Sequence, residues 1–183
     1  MRLIIPLKAR AAVVPALVIA ATLSVVEPAS AQPQASQHGA VSQIVNTTTI
    51  ALEYDRPVLR GRSVFGDLLD YGAVWTPGAN VATWIDFSRP VRVNGEPLAA
   101  GRYGIWTIPH ENGPWEWIFV SDWDTHHSFY PMESEALRVT ASPEPSSHME
   151  VLAFYFPVVG PYETTLRFHW GEIVVPFQIE VER

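Results

Sequence analysis

From Val41 onward, apolar residues recur in short runs, many of them alternating with polar ones. In TTLRFHW, Leu166, Phe168 and Trp170 fall on one side while Arg167 and His169 fall on the other, the period-two pattern of a half-buried strand. VATWIDF, VRV, GRYGIWTIP, WEWIFV, EALRVTASP, HMEVLAFYF and EIVVPFQIEV read the same way. VSQIVNTTTIALEY reads as one long strand or as two with a break near Asn46. Two turns punctuate the runs. Asn94-Gly95 lies between VRV and EPL, and both residues tolerate the positive φ of a tight hairpin. Asn112-Gly113-Pro114 lies between GRYGIWTIP and WEWIFV and predicts a second hairpin. About nine strands at these spacings predict an all-β fold, a single-domain antiparallel β-sandwich over residues 41–183. A flattened barrel is the alternative.

One stretch breaks the pattern. Between Tyr54 and Val74 lie about twenty residues with no strand signal and room for at most one short helix, capped by Ser63 and pairing Val64 with Leu68 and Phe65 with Leu69. Its apolar residues predict a packed loop rather than a disordered one, and connections of this length are often functional.

The first 31 residues have a different character. Arg2, Lys8 and Arg10 precede the sixteen-residue apolar run AAVVPALVIAATLSVV, and Ala29-Ser30-Ala31 has the small-residue spacing of a signal-peptidase site. A cleavable signal peptide, cut before Gln32, is expected. The run falls short of the roughly 20 apolar residues that span a bilayer core. The mature chain is therefore expected in the periplasm or outside the cell, not spanning the membrane. Residues 32–40 (QPQASQHGA) read as a flexible tether.

Removing that segment takes Arg2, Lys8, Arg10 and Glu27, leaving 9 basic and 18 acidic residues and a net charge of −9. Nucleic acid is excluded as a partner by this balance. The chain has no cysteine, which closes off thiolate catalysis, disulfides and sulfur-ligated metals. Lys8 is the only lysine, so Schiff-base chemistry leaves with the signal. At about 150 residues a domain buries roughly 68–70% of its unfolded surface, enough for a core without covalent staples.

The segments RPVLRGRSVFGDLLDYGAVWTPGANVATWIDF, VRVNGEPLAAGRYGIWTIP, WEWIFV and FHWGEIVVPFQIEV resemble domain-of-unknown-function family 2911, a group of exported bacterial proteins, over about Val41 to Val181. The resemblance implies a secreted, mostly β domain without an established activity, and it carries over no catalytic residue. The chain departs from the family pattern at Thr76 and Val81, where the family usually has arginine and glutamate.

Four candidate sites emerge. The first joins Arg56, Arg60 and Arg62 to Trp75, Asn80 and Thr83: guanidinium forks suit carboxylate or phosphate, and an indole offers a flat wall. Its structural counterpart has Glu53, Asp55, Asp67 and Asp70 neutralising the arginines and fastening the loop. The second is SDWDTHHSFYP, where Asp122, His126 and His127 are donors suited to a transition metal. No HExxH pattern supports them, and adjacent histidines on an extended segment would point apart. The third is hydrolytic. No GxSxG elbow is present, and Asp67/Asp70 or Glu133/Glu135 would supply only parts of acid–base machinery. The fourth is a sugar-stacking platform drawn from Trp75, Trp84, Trp106, Trp115, Trp117, Trp123 and Trp170, most of which the strand pattern sends to the core.

The sequence thus predicts a binding or envelope-associated module rather than an enzyme, with no cofactor. Its partner would be a small molecule, a glycan or an envelope protein. A hydrolase using residues 121–131 is the rival reading.

Overall fold

The structure, a computed structural model, describes residues 35–183. The signal peptide and the first three residues of the expected tether lie outside them. Ten strands run in chain order: β1 (Gln37–Val45), β2 (Thr48–Arg56), β3 (Trp84–Phe87), β4 (Val91–Val93), β5 (Glu96–Leu98), β6 (Gly101–Ile108), β7 (Trp115–Val120), β8 (Glu135–Ala141), β9 (Glu144–Val159) and β10 (Glu163–Val181). A single 3-10 turn, Met132–Ser134, precedes β8. They form a six-stranded antiparallel sheet, β1-β2-β3-β6-β7-β8, and a second sheet ordered β5-β4-β10-β9. Both sheets have free edges, so the fold is a sandwich and not a closed barrel.

The turns follow their residues. Val93 pairs with Glu96 across Asn94 (φ 47°) and Gly95 (φ 86°), both left-handed as a two-residue hairpin requires. Val45 pairs with Thr48, and the break falls at Asn46 (φ 52°), making two strands of VSQIVNTTTIALEY. β1 also corrects the expected tether. It begins at Gln37, and residues 37–40 pair in register with Arg56, Asp55, Tyr54 and Glu53. The small residue there has a packing cause, since a Cβ on Gly39 would sit 2.5 Å from Cδ of Arg56.

β10 is too long to be one straight strand. Nineteen extended residues would span roughly 60 Å, yet the amide of Val181 donates to the carbonyl of Tyr162 at 2.8 Å and Thr165 Oγ1 meets Gln178 Oε1 at 3.3 Å. Its two arms lie side by side, folded at Gly171 (φ 62°). The sequence pattern, which separates YETTLRFHW from EIVVPFQIEV at this point, anticipates the break.

Between the sheets the alternating apolar positions interlock. Ile50, Leu52, Ile85, Phe87, Ile105, Trp117 and Phe119 face Leu152, Phe154, Leu166, Phe168, Phe177 and Ile179. Trp117 stands between the two arms of β10, 5.5 Å from Phe168 and 4.4 Å from Phe177 by ring centroid. Tyr54 crosses the interface edge-on to Phe154 and its hydroxyl accepts that residue's amide at 3.0 Å.

Candidate functional site

The arginine segment is where the chain leaves one sheet for the other. After β2 ends at Arg56, Pro57 and Leu59 lie along β9: the Pro57 carbonyl accepts from the Leu152 amide, and the Leu59 amide donates to the Glu150 carbonyl, each at 3.0 Å. Arg60 (φ 53°) and Gly61 (φ 75°) then turn the chain back. Arg56 donates from Nε to the Leu152 carbonyl at 3.1 Å. Arg62 donates from Nε to the carbonyl of Leu59 at 2.8 Å and from Nη2 to that of Val58 at 3.0 Å. Arg60 holds its place through its own amide, bonded to Glu150 Oε1 at 2.7 Å, with Nη2 3.5 Å from the Ala35 carbonyl.

The expectation that Glu53, Asp55, Asp67 and Asp70 neutralise these arginines is thereby corrected. Among the described residues, none of the three forms an ion pair. A segment that crosses between sheets leaves carbonyls outside any ladder, and a guanidinium with five donors satisfies several of them at once. The expected short helix is absent as well. Gly66 (φ 82°) instead closes a compact turn, with the Leu69 amide on the Val64 carbonyl at 2.8 Å.

The rest of the first candidate set is mostly internal scaffolding. Trp75 pairs through its backbone with Thr107 and stacks on Trp170 at 5.9 Å, closing the side of the core. Thr83 is fully buried; its hydroxyl donates to the Pro77 carbonyl at 2.9 Å, and its amide donates to Thr76 Oγ1 at 3.0 Å. Asn80 (φ 62°) donates from Nδ2 to Asp55 Oδ2 at 2.7 Å, and Asp55 also faces His38 Nδ1 at 3.4 Å.

Of the six, Arg62 borders a cleft. A cleft of about 360 Å³ separates the loop, with Arg62, Ser63, Phe65 and Tyr71, from the fold of β10, with Trp170 and Glu172, and from His148 on β9. Leu59 and Val64 rest on Gly171, where a Cβ would stand 3.4 Å from Val64 Cγ2. Their contact holds the two walls together while the residues between them, Arg60 to Ser63, bulge outward. Trp170 is buried at the floor, its indole N–H without an acceptor among the described residues. His148 Nε2 lies 3.0 Å from Glu150 Oε2. The His148 hydrogen bond, followed by the Arg60 amide, holds the Glu150 carboxyl below its ordinary range. Sequence reasoning missed Ser63, Tyr71, His148 and Glu172 as wall residues. The readable signal was Gly171 inside FHWGEIVV, a turn residue within an apolar run.

Residues 121–131 serve a different surface. They cover the outer face of the six-stranded sheet, where Ala82, Trp106, Ile118 and Val120 form a second, small core against Ile108 and Tyr130. The two candidate loops meet here, through the Ala82 amide on the Thr125 carbonyl at 2.9 Å and the His127 amide on the Asn80 carbonyl at 3.3 Å. The histidines do not point apart: the segment is looped, and the rings of His126 and His127 lie 4.4 Å apart. Burial, then the neighbouring His126, lowers the pKa of His127. His126 Nδ1 bonds Ser128 Oγ at 2.8 Å, and the Asp122 amide lies 3.3 Å from Ser134 Oγ. No trio of His, Asp or Glu side chains among the described residues is arranged to hold a metal.

Nearby, Arg138 ties Glu135 and Glu116 together, and Tyr130 donates its hydroxyl to Glu135. Arg138 lowers the pKa of both carboxyls, the reverse of what a general acid needs. Among the tryptophans, Trp106, Trp115, Trp117 and Trp170 are core. Trp84 and Trp123 are half-buried and hold the Arg102 guanidinium between them, 3.8 and 4.7 Å from their ring centroids.

Fold and cleft together define an all-β, two-sheet antiparallel sandwich whose long loop forms one wall of a preformed cavity. The chain belongs to a family of proteins of unknown function, DUF2911, whose model matches residues 36–179. No curated protein and no solved structure matches it. Among the described residues no helix is long and apolar enough to cross a membrane.

Proposed function

We propose that this protein is an exported, periplasmic or secreted binding module that seats a small organic ligand bearing an anionic group in the cleft between Arg62 and the turn at Gly171. The observation that carries the reading is the state of Arg62. Two of its nitrogens are committed to the Leu59 and Val58 carbonyls, which fixes the guanidinium plane, while Nη1 has no partner among the described residues. A donor held in place before the ligand arrives loses little entropy on binding. The cleft volume of about 360 Å³ falls within the range of small-molecule sites. Phe65, Tyr71 and Trp170 supply apolar surface around the charge. Export rests on the basic, apolar and small-residue order of residues 1–31.

Thermal-shift screening of the chain from Gln32 onward against organic anions and glycans tests the binding reading. The expected result is stabilisation by a carboxylate-bearing compound that Arg62→Ala abolishes and Arg62→Lys only weakens. A parent protein that answers to nothing, or an Arg62→Ala variant that answers equally well, would overturn it. N-terminal sequencing of the protein recovered from the periplasm or medium checks export, with Gln32 expected as the first residue.

A further inference from the structure

We infer that the ligand of this cleft is a zwitterion, an amino acid or short peptide with free ends, whose carboxylate meets Arg62 and whose ammonium group meets Glu172. This deepens the binding reading above and rests on it. Arg62 and Glu172 border the same cavity from opposite walls, one from the arginine loop and one from the fold of β10. They form no ion pair with each other, and among the described residues the Glu172 carboxylate is in no ion pair at all. His148, also at the rim, is already engaged, its Nε2 3.0 Å from Glu150 Oε2. The cleft therefore presents one open cation and one open anion.

A ligand that displaces water from both must replace the hydration of both, since an ionised group left dry and unpaired is strongly unfavourable. A neutral glycan would satisfy neither charge fully. A phosphate would satisfy Arg62 and be repelled by Glu172. A species carrying a carboxylate and an ammonium group several bonds apart answers each. The two positions are also built differently. Arg62 is fixed by two carbonyls, whereas Glu172 follows a left-handed glycine at the fold of β10, on a side chain free to adjust. Arg62 thus sets the position of the carboxylate, and Glu172 selects for the amine.

Isothermal titration of the chain from Gln32 onward with alanyl-alanine, its N-acetyl form, its C-terminal amide, acetate and maltose tests this. Alanyl-alanine should bind, and capping either end should weaken binding by about tenfold or more, the scale of one charge-assisted hydrogen bond. In Glu172→Gln the free and N-acetylated peptides should bind alike, while discrimination against the amide persists. In Arg62→Gln the pattern should reverse. Both variants leave the core untouched, and their melting temperatures check that they fold. Equal binding of free and N-acetylated peptide, acetate binding as tightly as the peptide, or a Glu172→Gln variant that still discriminates, overturns the zwitterion and leaves the cleft as an anion site. Maltose binding more tightly than the peptide also overturns it. Silence toward all five probes overturns it, and silence throughout the wider anion and glycan screen overturns the cleft reading itself.

Discussion

Thr83 illustrates how far a residue's chemistry can be read without its neighbours. The string GANVAT has the turn residues and hydroxyl of a ligand loop, and Asn80 does adopt a left-handed turn conformation (φ 62°). Its polar groups are nonetheless spent internally: Asn80 on Asp55, Thr83 on Pro77 and Thr76. Residue types gave the turn. They did not give the partner, because that depends on which atom stands a few ångströms away across the turn. Gly78 depends on the same closeness, since a Cβ there would lie 2.5 Å from Thr83 Oγ1 and 3.4 Å from the Asp55 carbonyl oxygen. Gly78→Ala should therefore cost about 1–3 kcal/mol by overpacking, read as a lower urea midpoint with an unchanged slope. The cost should shrink when Thr83→Ala removes the obstructing hydroxyl, and the difference is the coupling measured by a double-mutant cycle. Additive losses would show that the contact with Thr83 is not the cause.

At the scale of elements, the hairpins were the most legible part of the chain because their chemistry is local. Asn94-Gly95 and Asn46 carry positive φ where the alternation of apolar residues breaks. Less legible was the crossing after β2, whose hydrogen bonds run to Glu150 and Leu152 about ninety residues away. For the same reason composition points the arginines at carboxylates, whereas their acceptors are backbone carbonyls, Leu152 for Arg56 and Val58 and Leu59 for Arg62. Gly171 joins the local and distant kinds, folding β10 and receiving Val64 and Leu59 from the loop. Gly171→Ala should destabilise the protein by about 1–2 kcal/mol through the left-handed backbone alone. Its more specific effect should be faster amide exchange at Leu59 and Arg62, because strain at the left-handed turn shifts the surface on which Leu59 and Val64 rest. Slow, parent-like exchange at those amides in a destabilised variant would separate the turn from the cleft.

For the molecule as a whole, the net charge of −9 expected after signal removal raises the question of what happens when carboxylates protonate. Three of them report their environment. Glu116 and Glu135 are held below the ordinary value of 4.5 chiefly by hydrogen bonds from Arg138, and Glu150 by His148 and the Arg60 amide. A carboxyl with a lowered pKa in the folded state binds its proton more readily in the unfolded state. Its contribution to stability is therefore complete above about 4.5 and is lost as pH falls through the lowered folded value. Repulsion among the acidic residues fades over the same range and opposes that loss, so the parent's curve alone does not isolate the pairs. Arg138→Met does, because it removes the guanidinium that hydrogen-bonds both Glu116 and Glu135 while keeping an unbranched apolar stem on β8. Urea midpoints measured from pH 7 to pH 2.5 should fall less steeply in the variant than in the parent below about 4.5. At neutral pH the variant should be the less stable of the two, as Glu116 and Glu135 then face each other without the guanidinium. Parallel curves would mean that Arg138 is screened by solvent and that the acid sensitivity arises outside the Glu116–Arg138–Glu135 cluster.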